Sequence, residues 1–594
     1  MPTPTSLDWR RQIKNQPFRD ALSFQFDRTS GTSASGDLSA SGIVTMTLTD
    51  VPLGVNGADT NHYIRISGGT GTAETVLITG GSAVAGAASG TIICTTANAH
   101  TGAWKVTSAT AGLQEAVNDA SASSYKSIFV PPGEHIFYDT CNLNGASNIA
   151  IWGIPGTVKI SLSRSSGTKQ CIRSVGGALS SGTTITADAI TFANRSTPAF
   201  VNSFTLTSAT GHAVGNYIAL TYNDGTYVYV QINKIAALAG AVVTLEEPLV
   251  IPLLAAHSNS VQKITLASGL YIGGIIFDGT SATGGTYSAL YIEGYTNSVV
   301  DDVALDAFSA IGIQTFYGYR NTYRDLTGYN TGDNNGGTFY FWYETRSTMM
   351  NIRGWKTDFG FEPVSCTNCQ FYNIDTGGSD GRGIKLQGCA WCQGSNIRSD
   401  GSSSGSSGSG LGFMGGSFRN TITNAMANGN RGPNGWGFYF SGEANQYNQI
   451  VGGAAHNNQQ HDVVFGSNDL NNNVVMVDAT TVQYTTTVNR TQFLELTAST
   501  ASAGAVTSHA QRGIVTTEAL TTAAGSSYTL TLTNNRTQTT DSFCLVSVGN
   551  GSNTGGTPVV TSVTQSGGSW VILIKNDHAS AAFNGTLKIM FQIF

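Results

Sequence analysis

The stretch VDDVALDAFSAIGIQTF (residues 300–316) is followed by YRDLTGYNTGDNNGGTFYFW (323–342), MMNIRGWKTDFGFEPV (349–364) and FYNIDTGGSDGRGIKLQ (371–387), and their likeness decides the fold. Each joins a short apolar run to a glycine-bearing turn and then to a second strand-like run. Aligned on the first run, Val303, Leu326, Ile352, Ile374 and Ile397 lie 23, 26, 22 and 23 residues apart. The second run opens at Gly312-Ile313, Gly337-Thr338, Gly360-Phe361, Gly383-Ile384, Gly412-Phe413 and Gly437-Phe438, with spacings of 25, 23, 23, 29 and 25. A period in the low twenties, made of short β runs without a leucine framework, predicts the stacked coils of a parallel β-helix. Each coil would rest on the next at the strand spacing of about 4.8 Å. Residues that lengthen a unit must then leave as loops. The serine- and glycine-rich tract from Asp400 to Gly410 accounts for the one spacing of 29 in this way.

Outward from this core the chain changes character. Residues 1–108 alternate in period two, as in Ile43-Val44-Thr45-Met46-Thr47-Leu48, and predict an N-terminal β domain. In Gly112-Leu113-Gln114-Glu115-Ala116-Val117, the residues Leu113, Ala116 and Val117 fall at helical spacing, which predicts one short amphipathic helix. Ser127-Ile128-Phe129-Val130-Pro131-Pro132-Gly133 follows as a strand entering a Pro-Gly turn. The coils are assigned to residues 109–478, with a small β insertion near 199–250. From 479 to 594 alternating strands such as Tyr528–Leu532 and Trp570–Ile574 predict a terminal β-sandwich. The fold class is therefore all-β.

Composition narrows function. Charged residues are only 11% of the 594, the net charge is −6 and no basic block occurs, which argues against a partner held by phosphate contacts. Residues 1–16 carry no apolar leader segment, and no run of 18 apolar residues predicts a membrane span.

The chemistry-bearing residues gather on three consecutive units. Asp333, Asp358 and Asp380 stand four, two and three residues before Gly337, Gly360 and Gly383, so they are expected on one edge of the coils. Glu362 and Lys385 each follow those glycines by two, with Arg382 close by. Glycoside hydrolysis needs a proton donor and a second carboxylate, about 5 Å apart for retention or about 6.5–9.5 Å for inversion. Adjacent and alternate coils offer such separations, and crowding raises the pKa of one acid. The catalytic candidates are therefore Asp333, Asp358, Glu362 and Asp380. Against this stand the ordinary use of Asp to cap turns and a plain surface ion pair between Glu362 and Lys385. A lyase would instead use Lys385 or Arg382 beside a uronic acid, with Tyr or Lys as base. Asp301, Asp302 and Asp306 form a second acidic patch of lower rank. Trp342, Trp355, Trp436 and Tyr439 are candidate sugar platforms, whereas Phe341 and Phe361 are expected in the core. Arg382 and Lys385 complete the expected substrate-binding set.

Cys366-x-x-Cys369 and Cys389-x-x-Cys392 carry the pattern of a zinc site, but both pairs recur after 23 residues, one unit of the repeat. Stacked reduced thiols explain that spacing without a metal and are favoured over a structural zinc, which stays open, and over a disulfide; the expected site therefore includes neither metal nor cofactor. Cys94, Cys141, Cys171 and Cys544 are expected as isolated buried residues. His135, His257, His456 and His461 lack ligand spacing.

The helix and strand around Gly112–Ala116 and Phe129–Gly133 resemble the opening of pectate-lyase-like right-handed parallel β-helices, in which the helix caps the first coil. The whole order of parts resembles bacteriophage tailspikes. That resemblance implies a homotrimer carried on the virion tail by a baseplate or tail protein, which binds bacterial surface polysaccharide and depolymerises it. The same fold also serves non-catalytic adhesins and polysaccharide lyases or epimerases.

Overall fold

In the computed structural model the description covers residues 19–24, 27–28, 38, 41–59, 61–124, 126–177, 179–180, 182–187, 201–223, 227–251, 253, 255, 258–331, 337–356, 359–402, 408–431, 435–441, 443–467, 471–479, 481–484, 490–493, 497–508, 512–534 and 543–593. Among them, two long sheets run the length of the central region, one of fifteen strands and one of eleven, and every pairing within both is parallel. The chain alternates between them, so each coil contributes one strand to each sheet. This is the expected parallel β-helix. A third side is reduced to single parallel bridges, running Thr296, Tyr319, Thr345, Thr367, Ala390, Phe418 and Gln446.

The first alignment is the observed register: Val303 pairs with Leu326, Leu326 with Ile352, Ile352 with Ile374 and Ile374 with Ile397. All five are buried. Like residues stack because each coil repeats the cross-section of the last, so an apolar position stays apolar along the rod. The second alignment needs two corrections. Ile313 pairs with Phe339, not Thr338, and Ile384 with Leu411, not Phe413. A loop between the sheets changes length from coil to coil, so glycine at the loop's end is a poorer ruler than the inward side chain. Phe413 instead stacks on Phe440, with ring centroids 4.9 Å apart.

A residue in left-handed conformation bends six successive strands of the first sheet. Asp302, Asp325, Asn351, Asn373, Asn396 and Asn424 have φ of 56, 55, 55, 53, 55 and 52°. Asp and Asn tolerate this region because their side chains bond locally. The ladder pairs Asp301 with Arg324 and then Val303 with Leu326, leaving Asp302 and Asp325 turned outward at the bend.

The helix spans Leu113–Ala122 and buries Leu113, Ala116 and Val117 as expected. It closes the first coil and also holds the N-terminal module: His62 Nε2 lies 2.9 Å from Glu115 Oε1, and Ser108 donates to Glu115 Oε2 at 2.8 Å. Arg19–Asp20 adds a short parallel strand beside Ser127–Phe129. The insertion is a five-stranded antiparallel sheet from Ser203 to Ile264, extending past residue 250. It packs on the bridge side, where Tyr229 donates to the Gly416 carbonyl and Ile232 N–H to Thr345 Oγ1, both at 2.9 Å. Glu247 receives Arg320 and Arg346 from two successive coils. Parallel pairing continues past Asp478 through Val482–Tyr484 and Arg490–Phe493. Beyond it, two four-stranded sheets between Thr497 and Ile593 enclose Leu530, Leu532, Ile572, Ile574 and Phe591. No helix among the described residues is long and apolar enough to cross a membrane.

Candidate functional site

Most of the sequence candidates come together on the outer face of the second sheet. Phe339, Phe341 and Phe361 point inward and are buried, so alternation turns Tyr340, Trp342 and Glu362 outward. Tyr340 is the register partner of Glu362. On the next coil Lys385 donates to Glu362 Oε1 at 2.6 Å, with its ammonium 5.0 Å from the Phe359 ring. Arg382 lies across Gly412, where a Cβ would stand 3.5 Å from its Cδ, and its guanidinium sits 5.7 Å from the Tyr439 ring. Tyr439 and Trp436 are in ring contact at 4.2 Å.

This face is closed. Glu362 is only 2% exposed, so the surface ion pair of the sequence reading is in fact buried. Burial pushes its carboxyl above the ordinary value, opposed by Lys385, Tyr340 and Arg382. The same burial, with Glu362 alongside, pushes Tyr340 well above the ordinary phenol value. Trp342 is half-buried edge-on against Phe316, at 4.8 Å, and so is a poorer platform than expected.

Trp355 is different. It ends a strand of the first sheet and is 37% exposed, and its register partner Tyr329 is 46% exposed. Trp355 lies flat over Gly377 of the following coil, where a Cβ would come within 2.7 Å of the ring. Together they make an aromatic edge open to solvent. Asp380, on the loop that follows Gly377, is exposed. Asp333 and Asp358 lie outside the described residues, as does His257. In the sequence, Asp333, Asp358 and Asp380 stand four, three and three residues after the paired row Tyr329, Trp355 and Gly377, a more even offset than the one counted to the glycines.

The second acidic patch divides by burial. Asp301 is buried in a two-pronged pair with Arg324, at 2.9 and 3.0 Å. Asp306 is exposed, and partial burial with the neighbouring Asp278 raises its pKa. Sequence reasoning passed over Glu344. It lies inside the coil, accepting from Tyr323 and Thr315 at 2.7 and 2.8 Å and from Ser347 at 2.5 Å, and burial pushes its pKa up to about 7. No periodic signal marks it, because the neighbouring coils carry no acid at that position.

The four paired cysteines are buried thiols, each donating to a backbone carbonyl of the preceding coil: Cys366 to Phe341, Cys369 to Glu344, Cys389 to Pro363 and Cys392 to Cys366. No group of three or more metal-binding side chains is assembled among the described residues. Cys94, Cys141 and Cys171 are buried as expected, whereas Cys544 is half-buried near the sandwich edge. His135 bonds the Pro131 carbonyl, and His456 pairs with Asp478.

No protein-family model matches the chain, and no curated protein matches it. Among solved structures it is similar to the tailspike protein gp49 from Pseudomonas phage LKA1, at 14% identity and a TM-score of 0.38 over 81% of this chain and 92% of that one. It is similar to the Gp54 tailspike of Acinetobacter baumannii bacteriophage AP22, solved with A. baumannii capsular saccharide, at 11% identity and a TM-score of 0.33 over 81% and 93%. It is also similar to the A-module of the Azotobacter vinelandii mannuronan C-5 epimerase AlgE6, at 14% identity and a TM-score of 0.32 over 64% and 94%.

Proposed function

We propose that the chain is a tailspike-type depolymerase that binds bacterial surface polysaccharide along its solenoid and cleaves it by glycoside hydrolysis. One observation carries the reading: Tyr329 and Trp355 are exposed on adjacent coils, and in the sequence Asp333 and Asp358 follow them by four and three residues, as Asp380 follows their row partner Gly377 by three. Flat rings open to solvent suit the C–H faces of sugars. Acids carried on successive coils suit the carboxylate separations that hydrolysis uses. Asp358 and Asp380 take the acid and nucleophile or base roles, with Asp333 as a further acid. Of the adjoining face, Arg382, Trp436 and Tyr439 contact sugars further along the chain, while Lys385, Glu362 and Trp342 pack against one another's coils and support it. The alternative is a lyase, in which Lys385 or Arg382 would stand beside a uronic acid and a Tyr or Lys would serve as base. In this proposal three chains associate side by side, the C-terminal sandwich locks them, and the N-terminal domain meets the virion.

The test is incubation with a panel of purified capsular polysaccharides and O-antigens, followed by chromatography. New reducing ends support hydrolysis, the ultraviolet absorbance of an unsaturated uronate marks a lyase, and binding without cleavage marks a receptor-binding spike. Asp358→Ala and Asp380→Ala should each lower turnover at least a hundredfold. Two folded variants with full activity would falsify the assignment.

A further inference from the structure

A groove lies elsewhere, over the bend of the first sheet, with a volume of about 770 Å³. A line of side-chain amides forms its floor. Asn424 Nδ2 donates to Asn396 Oδ1 at 2.7 Å, Asn396 to Asn373 at 3.0 Å, Asn373 to Asn351 at 2.9 Å, and Asn351 to Asp325 at 2.8 Å. All of these bonds are exposed. Each amide has two N–H donors and two acceptor lone pairs, and the line uses one of each at the inner rungs. A donor and an acceptor therefore remain at every coil, repeated at the strand spacing of about 4.8 Å. Because the donors all point the same way along the rod, the line is also polarised.

Beside the amides runs a row of register partners, Arg353, Asp375 and Arg398. Arg398 is paired with Asp400 at 2.5 Å. Arg353 is exposed and makes no ion pair among the described residues. Asp375 Oδ1 is buried and finds no hydrogen-bond donor among them. Burial raises the Asp375 pKa, with Arg398 and Arg353 pulling the other way. A buried acceptor without a donor is costly, so this position favours any visitor that brings an O–H. A sugar hydroxyl donates to a carboxylate and accepts from a guanidinium or amide at once. With Asp302, Asp325 and Asp375 set against two arginines, the groove carries no excess of positive charge to favour a polyanion.

We propose that this groove is a second saccharide site, a non-catalytic track that holds a neutral, hydroxyl-rich glycan chain lengthwise along the solenoid and feeds it toward the aromatic edge. The inference rests on the reading of the chain as a polysaccharide depolymerase. Its structural alternative is that the amides only brace the bend. Two variants separate these roles. Asn373→Gly keeps the left-handed backbone while deleting one amide, and Arg353→Ala with Asp375→Asn removes the flanking charges without touching the interior.

The probe is the first polymer of the capsule and O-antigen panel that the wild-type full chain degrades, together with the short oligosaccharides it releases. Both variants should raise KM for the polymer about tenfold, leave kcat unchanged and leave cleavage of the oligosaccharides unchanged. Bound polymer should also slow amide exchange in residues 349–356, 371–377 and 393–400 of the wild type. An unchanged polymer KM in both variants overturns the track while the depolymerase stands. An equal loss of kcat on polymer and oligosaccharide also overturns it, by placing the groove in the reacting site. A wild type that neither binds nor cleaves any polymer of the panel overturns the depolymerase, and the track with it.

Discussion

The two long sheets are alike inside and unlike outside. Their inward rows obey the same rule, apolar on apolar from coil to coil, yet around the middle coils the second sheet covers Glu362 under Lys385 while the first leaves Arg353 and Arg398 open beside its bend. Glu362 is 2% exposed beneath Lys385 and Tyr340, whereas Tyr329 on the first sheet is 46% exposed. Long side chains lie flat over one another on the second sheet. On the first, the left-handed bend splays the rows apart and opens a groove. Closed charge on one face and open charge on the other serve different ends, the first holding coils together and the second meeting solvent or ligand.

The contrast can be broken most forcefully at the buried pair. Lys385→Met leaves Glu362 without its cation and should cost about 3–5 kcal/mol in urea unfolding. Adding Glu362→Gln should recover most of that loss. The exposed Arg398→Ala, by comparison, should change stability by less than about 1 kcal/mol. Equal losses on the two faces would erase the distinction.

Next in size is the interior acid. The Glu344 pKa rises from 4.5 to about 7 on folding, so its contribution is fully present below about pH 4.5 and is lost as pH climbs through about 7. Relative to Glu344→Gln, the wild type should lose roughly 3 kcal/mol across that window. A constant difference between the two proteins would show that Glu344 titrates normally.

Smaller effects sharpen the outer surface. Trp355→Ala should weaken polysaccharide binding about tenfold, or about 1.4 kcal/mol, while Trp342→Phe should barely alter it; calorimetry with the degraded polymer reads both. The reverse ranking would move binding to the second sheet. Least of all, Ile352→Val should cost about 1 kcal/mol of stability with no change in binding. A binding defect there would mean that the core and the surface rows are coupled.

Much of this architecture was legible beforehand. Val303, Leu326, Ile352, Ile374 and Ile397 are true register partners, because an inward side chain must meet its like in the next coil. The outer amide line was within reach of the same count, since Asp302, Asp325, Asn351, Asn373 and Asn396 each immediately precede one of those anchors. It was passed over because Asn and Asp before an apolar residue read as ordinary turn chemistry. The grouping of Glu362, Lys385 and Arg382 was also legible from spacing. What spacing could not convey was that these groups are covered, or that Trp355 and Trp342 face different sheets.

By itself, then, the sequence determined the coil: the period, the inward rows, the capping helix and the cysteine stack all follow from the need to repeat one cross-section. Only the tertiary structure decided which outward side chains meet water. That depends on the bend at Asp302, Asp325 and the asparagines, on glycines such as Gly377 and Gly412 that let a long neighbour lie flat, and on where the insertion rests. A repeat fixes what lies beneath a residue, but exposure is set by whatever lies above it, and nothing in a one-dimensional spacing encodes that.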